Sequence, residues 1–324
     1  MKTKRKYIFH LLAFLTMALW GITFVSTKTL INEGLTPAQI FTIRFIIAYL
    51  GLLTVCFIRG GRDKRAFSHS IRHEIVFLIT GISGGSLYFL TENTALAYTQ
   101  ASNVSFIVCT APLFTVLMTL AIKKIFKGPM VDGLEDVRVG FPLVAGTAIA
   151  ITGMILVIFD GNSLSLSPKG DILAFMAALC WAVYSQFMGQ MTDRYGPLFA
   201  TRKVFFYGLL TIVPVLLLTD NSNLMTVRFD RIQVWGNLLF LSTIASLVCF
   251  VVWNRVMLAI GNVTATNYVY LNPVFTLISA VIILDERMTV TSGIGSAMIL
   301  GGVILSGMKK ELNKQKQIND ENNL

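Results

Sequence analysis

The sequence predicts an all-α integral membrane protein in which ten transmembrane helices form two inverted five-helix repeats around a central cavity. Three observations support this fold class. The chain is 54% hydrophobic and only 14% charged, its apolar residues fall into ten long runs, and its two halves match at two fixed shifts. A soluble chain of 324 residues needs far more polar surface, and the mean hydropathy of +0.68 argues against that class.

Each apolar run is close to the roughly 20 residues that a helix needs to cross a hydrocarbon core of about 30 Å. Continuous runs indicate helices, because the strands of a membrane barrel would show alternating segments of about ten residues. The first run follows a basic start, but it is too long for a cleaved signal and lacks a small-residue cleavage site. The ten runs cover residues 8–31, 38–58, 75–97, 102–122, 140–159, 171–190, 199–218, 235–257, 262–284 and 289–307.

The basic residues of the chain are distributed unevenly between its loops. If the N-terminus is placed in the cytoplasm, most Lys and Arg residues outside the helices fall in cytoplasmic loops, as the positive-inside rule describes. The sequence therefore predicts a multi-pass protein of a bacterial cytoplasmic (inner) membrane with both termini in the cytoplasm. This orientation and the anionic lipid headgroups account for the net charge of +10, and no nucleic-acid partner is expected.

The two halves of the chain match each other at nearly constant shifts, which indicates an internal duplication. A shift of 149 aligns Gly146 with Gly295 and Gly153 with Gly302. A shift of 161 aligns the preceding helices. The pairs matched by this second shift include Phe14 with Phe175, Trp20 with Trp181, Asn93 with Asn254, Val108 with Val269, and Pro112–Thr115 with Pro273–Thr276.

The duplication predicts the domain organisation. A first five-helix repeat covers residues 1–160, a second covers 165–310, and a polar cytoplasmic tail covers 311–324. Because each repeat contains an odd number of helices, the second repeat enters the membrane from the opposite side. Inverted repeats of this kind enclose a site near the middle of the bilayer in many secondary transporters.

Three segments resemble the drug/metabolite transporter superfamily, specifically its EamA-like ten-helix branch. They are ALWGITFVSTK (18–28), ALAYTQASNVSFIVCTAPLFTVL (95–117) and the segment 258–305 that contains Pro273 and Glu286. The first half departs from the pattern, because Lys123–Lys127 and an insertion replace an acidic turn like Asp285–Glu286. The resemblance implies a membrane carrier of small organic solutes, often amino acids or related metabolites, that frequently moves them outward.

Polar and aromatic residues near the predicted midplane are candidates for lining the cavity. Their depth follows from the rise of 1.5 Å per residue, counted from each helix start. Pro112 and Pro273 are hinge candidates, because a proline frees a carbonyl one turn earlier in a membrane helix; the alternative is a simple packing kink. The cavity candidates are Trp20, Thr23, Thr110, Trp181, Tyr184, Gln186, Tyr270 and Asn272.

Arg44 and Glu92 are charged residues within apolar runs, in the outer third of the predicted membrane. Because an unpaired charge is disfavoured there, we expect them to pair, with Asn93 or Tyr88 as a hydrogen-bond partner and Lys28 as a competing partner. Arg44, Glu92 and Asn93 are therefore gate or coupling candidates. Glu92 has three open roles: an outer gate latch, a proton-coupling acid, or a side chain that extends to the interface.

Other classes of protein lack the residues that they need. Gly81–Gly84 matches the G-x-S-G signature of intramembrane serine proteases, but His10, His69 and His73 are all placed too far toward the cytoplasm to serve as the base. The four cysteines have no metal or redox spacing, so neither a metal nor a cofactor is predicted. The chain has no glycine-rich phosphate loop, which argues against an ATP-driven pump.

The sequence therefore predicts a transporter and not an enzyme, with a small-molecule substrate and the lipid bilayer as its partners. A sugar or nucleoside permease, a channel and a membrane scaffold stay open as alternatives. The identity of the substrate, the direction of transport, coupling to protons and the oligomeric state, including a monomer, are also left open.

Overall fold

The structure of the protein is a computed structural model. It describes residues 2–60, 65–125, 140–158, 167–219, 227–261, 265–285, 289–291, 293–302 and 305. The predictions for Glu286, for most of the 123–139 loop and for the tail at 311–324 lie outside these ranges.

The all-α membrane architecture predicted from the sequence is confirmed, and the described residues contain no strand. Within the described ranges, seven helices are long and apolar enough to cross a membrane, and three shorter apolar helices occupy the remaining predicted runs. We number them α1 (Lys2–Asn32), α2 (Pro37–Arg59), α3 (Ile71–Tyr98), α4 (Ala101–Ile125), α5 (Phe141–Ile158), α6 (Pro168–Tyr195), α7 (Pro197–Thr219), α8 (Ile232–Ile260), α9 (Asn272–Leu284) and α10 (Gly293–Gly302).

Helices α5 and α10 form a small compact unit of their own. They approach each other at glycines: a Cβ added at Gly153 would lie 2.5 Å from the carbonyl oxygen of Gly295, and one at Gly302 would overlap the carbonyl oxygen of Gly146. Small residues allow such close backbone contact between membrane helices, where no hydrophobic force drives association. The glycines that match in the sequence therefore serve helix packing.

The other eight helices form the larger unit. Within it α1 packs on α8 and α9, α3 packs on α6, and α2 packs on α7. The contact of α1 with α9 is close at Gly21, because an added Cβ would lie 2.6 Å from Cβ of Phe275. The Thr276 hydroxyl also donates a hydrogen bond of 2.8 Å to the Gly21 carbonyl oxygen.

Two helices of the larger unit are interrupted immediately before the predicted hinge prolines. In α4 the first helical segment ends at Val108 and the second begins at Ala111, next to Pro112. A 3₁₀ turn at Asn267–Leu271 precedes α9, and Pro273 lies in its first turn. Proline fits the first turn because its missing N–H has no partner to lose there. The two prolines therefore begin helical segments and do not kink continuous ones.

The two interruptions are in direct contact. The Cys109 thiol donates a hydrogen bond of 3.1 Å to the carbonyl oxygen of Val269. Helices α3 and α8 are also irregular, with π-helical turns at Ile82–Ser86 and Phe240–Val248. Irregular backbone at membrane depth is tolerated where protein or a cavity surrounds it, and the broken helices of the larger unit border such a cavity.

Candidate functional site

The larger unit contains a cavity between its helices. Seven of its eight helices contribute to the lining; α7 does not. The lining residues are Trp20, Thr23, Phe24, Arg44, Tyr88, Phe89, Glu92, Val108, Trp181, Phe250, Val269 and Asn272.

Aromatic rings in edge-to-face and tilted contacts form one wall of the cavity. The ring of Trp20 lies 5.5 Å from that of Trp181 and 5.2 Å from that of Phe250, measured between centroids. Trp181 in turn lies 5.3 Å from Tyr88. Trp20 is held in place by a hydrogen bond of 2.9 Å from its Nε1 to the carbonyl oxygen of Ala245, in the π turn of α8. This wall offers a large apolar surface to a bound solute.

Arg44 and Glu92 bring opposite charges to the same cavity. Arg44 donates from Nε to Ser246 Oγ at 2.5 Å, and its guanidinium lies 4.5 Å from the Phe89 ring centroid. The described residues show no N···O contact within 4 Å between Arg44 and Glu92, so the predicted direct pair is replaced by the bond from Arg44 to Ser246. Charges this deeply buried in a membrane segment are expensive, and they mark functional sites by default.

Three polar atoms that line the cavity have no hydrogen-bond partner among the described residues. They are Oε2 of Glu92, Nε1 of Trp181 and Oδ1 of Asn272. The three residues are 4%, 5% and 7% exposed, respectively, so bulk water does not compensate these atoms. Because nearly all buried polar groups in proteins are satisfied, these atoms are suited to receive a bound molecule.

The structure places about half of the predicted cavity residues in the lining. Trp20, Thr23, Trp181 and Asn272 line the cavity together with the predicted gate residues Arg44 and Glu92. Asn93 lies outside the lining, and its Nδ2 donates to the carbonyl oxygen of Pro37 at 3.2 Å. Lys28 donates from Nζ to the carbonyl oxygens of Leu96 and Thr99, near the end of α3.

The other predicted cavity residues have different partners. The Tyr184 hydroxyl donates to Asn254 Oδ1 at 3.2 Å, and Gln186 Nε2 donates to the carbonyl oxygen of Thr115 at 2.8 Å. Thr110 Oγ1 donates to the carbonyl oxygen of Ile107 at 2.7 Å. Tyr270 is buried in the 3₁₀ turn that precedes α9. Tyr184 and Gln186 thus connect α6 to neighbouring helices, and none of these four residues lines the cavity.

Sequence reasoning did not select Phe24, Phe89, Val108, Phe250 and Val269 as lining residues, and it named Tyr88 only as a partner of Glu92. Two signals in the sequence could have found them. Phe24 and Tyr88 lie four residues from Trp20 and Glu92, respectively, on the same helix face. Phe89 and Phe250 are separated by the shift of 161.

Chain segments close both ends of the larger unit. We call one set of contacts the N-side closure, because it lies at the side on which α1 begins. There Lys203 Nζ lies 2.7 Å from Glu74 Oε2, and Glu74 Oε1 accepts from the backbone N–H of Ser68 at 2.5 Å. Lys203 also donates to the carbonyl oxygen of Ala66, and Arg202 donates to that of Arg65. The segment before α3 is thus bound to α7.

The tyrosines of α6 and α7 extend the N-side closure. Tyr207 donates a hydrogen bond to Glu74, and the Tyr195 hydroxyl accepts from the backbone N–H of His69 at 3.1 Å. Nδ1 of His73 lies 2.6 Å from the same hydroxyl. Tyr88 follows Glu74 by 14 residues in the same helix, which corresponds to roughly 21 Å along the helix axis. The N-side closure therefore lies well to one side of the cavity.

The far-side closure lies at the opposite end and is mainly apolar. Side chains from the end of α1 and the start of α2 pack against residues before and within α8. One ion pair borders it, between Arg231 and Glu33 at 2.7 Å. The buried cluster consists of Leu30, Leu35, Ile40, Val227, Val234, Leu238 and Leu241.

Comparison with known proteins agrees with this architecture. The EamA-like transporter family matches residues 8–128 and 168–308. An uncharacterized transporter of Archaeoglobus fulgidus is 28% identical over 304 residues, covering 93% of this chain and 98% of that protein. One solved structure superposes with a TM-score of 0.65 at 17% identity, covering 92% of this chain and 96% of the other.

Two similar proteins have names that state a function. A probable amino-acid metabolite efflux pump of Escherichia coli is 24% identical over 303 residues, covering 91% of this chain and 93% of that protein. A probable terminal-alkyne amino-acid exporter of Streptantibioticus cattleyicolor is 23% identical over 292 residues, covering 90% of each chain. With ten apolar helices among the described residues, a cavity between the helices of the larger unit and a family match over most of its length, the chain belongs to the EamA-like transporter family: it is a multi-pass membrane transporter of small molecules and not an enzyme.

Proposed function

We propose that this protein is a secondary-active exporter of amino acids or related metabolites that works by alternating access in a bacterial cytoplasmic membrane, with both termini in the cytoplasm. The names of the Escherichia coli and Streptantibioticus cattleyicolor proteins favour amino-acid-like solutes and outward transport. In this orientation the N-side closure faces the cytoplasm and the far-side closure faces outward.

The observation that carries the proposal is the cavity between the two closures. It combines an aromatic wall with a buried cation, Arg44, and a buried carboxylate, Glu92. An amino acid has complementary features, because it carries both charges on an apolar or polar body. A sugar or nucleoside carries no charge at these positions, so neither buried charge would gain an opposite charge from it.

Inverted repeats are the second part of the proposal, because they supply two similar conformations of opposite orientation. Three pairs of lining residues are related by the shift of 161, so each half contributes equivalent side chains to the cavity. The pairs are Trp20 with Trp181, Phe89 with Phe250, and Val108 with Val269. The π turns of α3 and α8 and the interruptions before Pro112 and Pro273 also overlap under this shift. These features support a pseudo-twofold axis through the cavity.

In this mechanism the closures open alternately. Opening the N-side closure separates Glu74 from Lys203, and opening the far-side closure separates the apolar ends of α1 and α2 from α8. The interruptions before Pro112 and Pro273 serve as hinges, because backbone without continuous helical hydrogen bonds bends most easily. Arg44 and Glu92 contact the solute between the closures, and Asn93 fixes the start of α2 to α3 by its bond to Pro37.

Counterflow into proteoliposomes tests the proposal. Purified protein is reconstituted with one unlabelled solute inside, and uptake of the labelled solute is measured for panels of amino acids, sugars and nucleosides. We expect saturable exchange of amino acids, with competition by unlabelled amino acid. Exchange that is confined to sugars or nucleosides would refute the substrate class, and flux without saturation would indicate a channel.

Coupling to protons is measured in the same vesicles with an imposed pH gradient. If protons drive transport through Glu92, transport by the Glu92→Gln variant should not be accelerated by the gradient, even at solute concentrations high enough to restore its counterflow. An unchanged response to the gradient in this variant would exclude Glu92 as the coupling acid.

A further inference from the structure

The polar atoms of the cavity that lack a hydrogen-bond partner include more acceptors than donors. Two of them, Glu92 Oε2 and Asn272 Oδ1, are hydrogen-bond acceptors, whereas Trp181 Nε1 is a donor. Arg44 is already fixed to the wall, because its Nε donates to Ser246 and its guanidinium lies over Phe89. The cavity is therefore best prepared for a group that donates several hydrogen bonds and carries positive charge.

From these acceptors we propose that the transporter recognises its solute by an ammonium group, which is bound by Glu92 Oε2 and Asn272 Oδ1, and that the carboxylate of the solute is secondary for binding. This inference rests on the proposed function, because it takes the cavity as the transport site. An ammonium group has three donors and no acceptor. Its three N–H groups are enough in number for both orphan acceptors and one further partner.

The surroundings of the two acceptors suit a cation. Trp20, Trp181 and Tyr88 line the same cavity, and aromatic faces attract ammonium groups, most strongly where water is excluded. A hydroxyl group supplies only one donor and no charge, so it would leave one acceptor and the charge of Glu92 uncompensated. The acceptors therefore select for amines over alcohols of equal size.

The two acceptors come from different halves of the chain. Glu92 lies in α3, and Asn272 is the first residue of α9, immediately after the 3₁₀ turn. An ammonium group bound between them would join the halves across the cavity. Binding at this site would therefore act directly on the interruption before α9, where the backbone lacks continuous helical hydrogen bonds.

Binding to matched ligand sets tests the proposal with the full-length protein in lipid nanodiscs. Each set keeps one apolar body: phenylalanine, phenethylamine and 3-phenylpropanoate form one set, and leucine, isoamylamine and 4-methylpentanoate form another. Binding is followed by tryptophan emission, because Trp20 and Trp181 line the cavity. We expect each amine to bind within about tenfold of its amino acid and each deaminated acid to bind roughly tenfold to hundredfold more weakly.

Variants locate the interaction. Glu92→Gln preserves size and removes the charge, so we expect it to weaken binding of the amines roughly tenfold to hundredfold. Asn272→Leu removes the second acceptor and should weaken binding of the same ligands by roughly tenfold. Asp193→Asn removes an exposed carboxylate on α6 and should bind like the wild type, as the matched control.

The outcomes separate this inference from the proposed function. If the deaminated acids bind as well as the amines, or if Glu92→Gln binds amines with wild-type affinity, recognition of the ammonium group is refuted while amino-acid transport stands. If no amino acid or amine binds and only sugars or nucleosides exchange in counterflow, the proposed function fails together with this inference.

Discussion

Replacing Lys203 by methionine should release the N-side closure. The Lys203 side chain is 4% exposed and that of Glu74 is 16% exposed, and their charges lie 2.7 Å apart. Methionine keeps the length and apolar volume of the lysine stem but leaves Glu74 without its cation. Removing one partner of a fully buried pair costs about 3–5 kcal/mol. Glu74 keeps its bonds to Ser68 and Tyr207 and some exposure, so we expect about 1–3 kcal/mol here.

That free energy acts on the equilibrium between closed and open N-side, because the same contacts are absent when the closure opens. It corresponds to a rise of roughly 5- to 150-fold in the ratio of open to closed molecules. A single cysteine at Val108, which lines the cavity and is 3% exposed, reports this opening. The four native cysteines are replaced by alanine in the probe protein.

The assay is the rate at which a membrane-impermeant maleimide, added from the N-terminal side of oriented vesicles, labels that cysteine. We expect Lys203→Met to raise the rate by at least fivefold. Lys124→Met, which removes an exposed lysine on the same side, should leave it unchanged. Glu74→Gln added to Lys203→Met removes the orphaned charge and should restore much of the protection. A rate within twofold of the wild type, or a double variant labelled as fast as Lys203→Met, would refute the reasoning.

Three further perturbations test the packing around the cavity. Gly84→Ala places a methyl group against the ring of Tyr184 and should lower the free energy of unfolding by about 1–3 kcal/mol, which is measured as a lower thermal midpoint. In the control Gly189→Ala, in α6, the added Cβ meets no atom within 4 Å, so the thermal midpoint should not fall. Asn254→Ala leaves the buried Tyr184 hydroxyl without its acceptor and removes the bond that Thr201 accepts, so it should cost about 1–3 kcal/mol. Asn237→Ala at the start of α8 removes only an exposed bond to Gln233 and should change the thermal midpoint little. Leu238→Ala in the far-side closure should speed maleimide labelling from that side at least tenfold, because a buried Leu→Ala change costs about 2–5 kcal/mol. Arg231→Ala is the control: it removes a half-exposed ion pair worth about 0–1 kcal/mol, so it should change the labelling rate less than fivefold.

The number and positions of the helices were predictable from the sequence because hydrocarbon imposes a length on every apolar segment. All ten runs correspond to helices in the structure. The irregular turns were not predictable in the same way. Proline marked the places at which α4 and α9 begin new segments, but hydropathy cannot distinguish a kink within a continuous helix from the start of a new helical segment. The π turns at Ile82–Ser86 and Phe240–Val248 depend on neighbouring helices, which a single-segment analysis does not include.

The cavity was only half predictable, since depth along a helix does not determine the direction of a side chain. Tyr184 follows Trp181 by three residues and has nearly the same depth, yet its hydroxyl is bonded to Asn254 while Trp181 faces the cavity. Gln186 is rotated further and contacts α4. The charged residues were easier to place, because a buried charge in an apolar run has few uses apart from a site. The bond of Arg44 to Ser246, in place of a contact with Glu92, depends on α8 and could not be read from α2 alone.

The two closures differ in the forces that hold them, so they should respond differently to the environment of the cell. Apolar association weakens on cooling, because its driving force near room temperature is entropic, whereas the Lys203–Glu74 end is also held by the hydrogen bonds that Glu74 accepts from Ser68 and Tyr207, which do not rely on that driving force. A drop in temperature should therefore loosen the leucine-rich end before the Lys203–Glu74 end. The balance between the two closures would then shift with growth temperature, without any change in the solute.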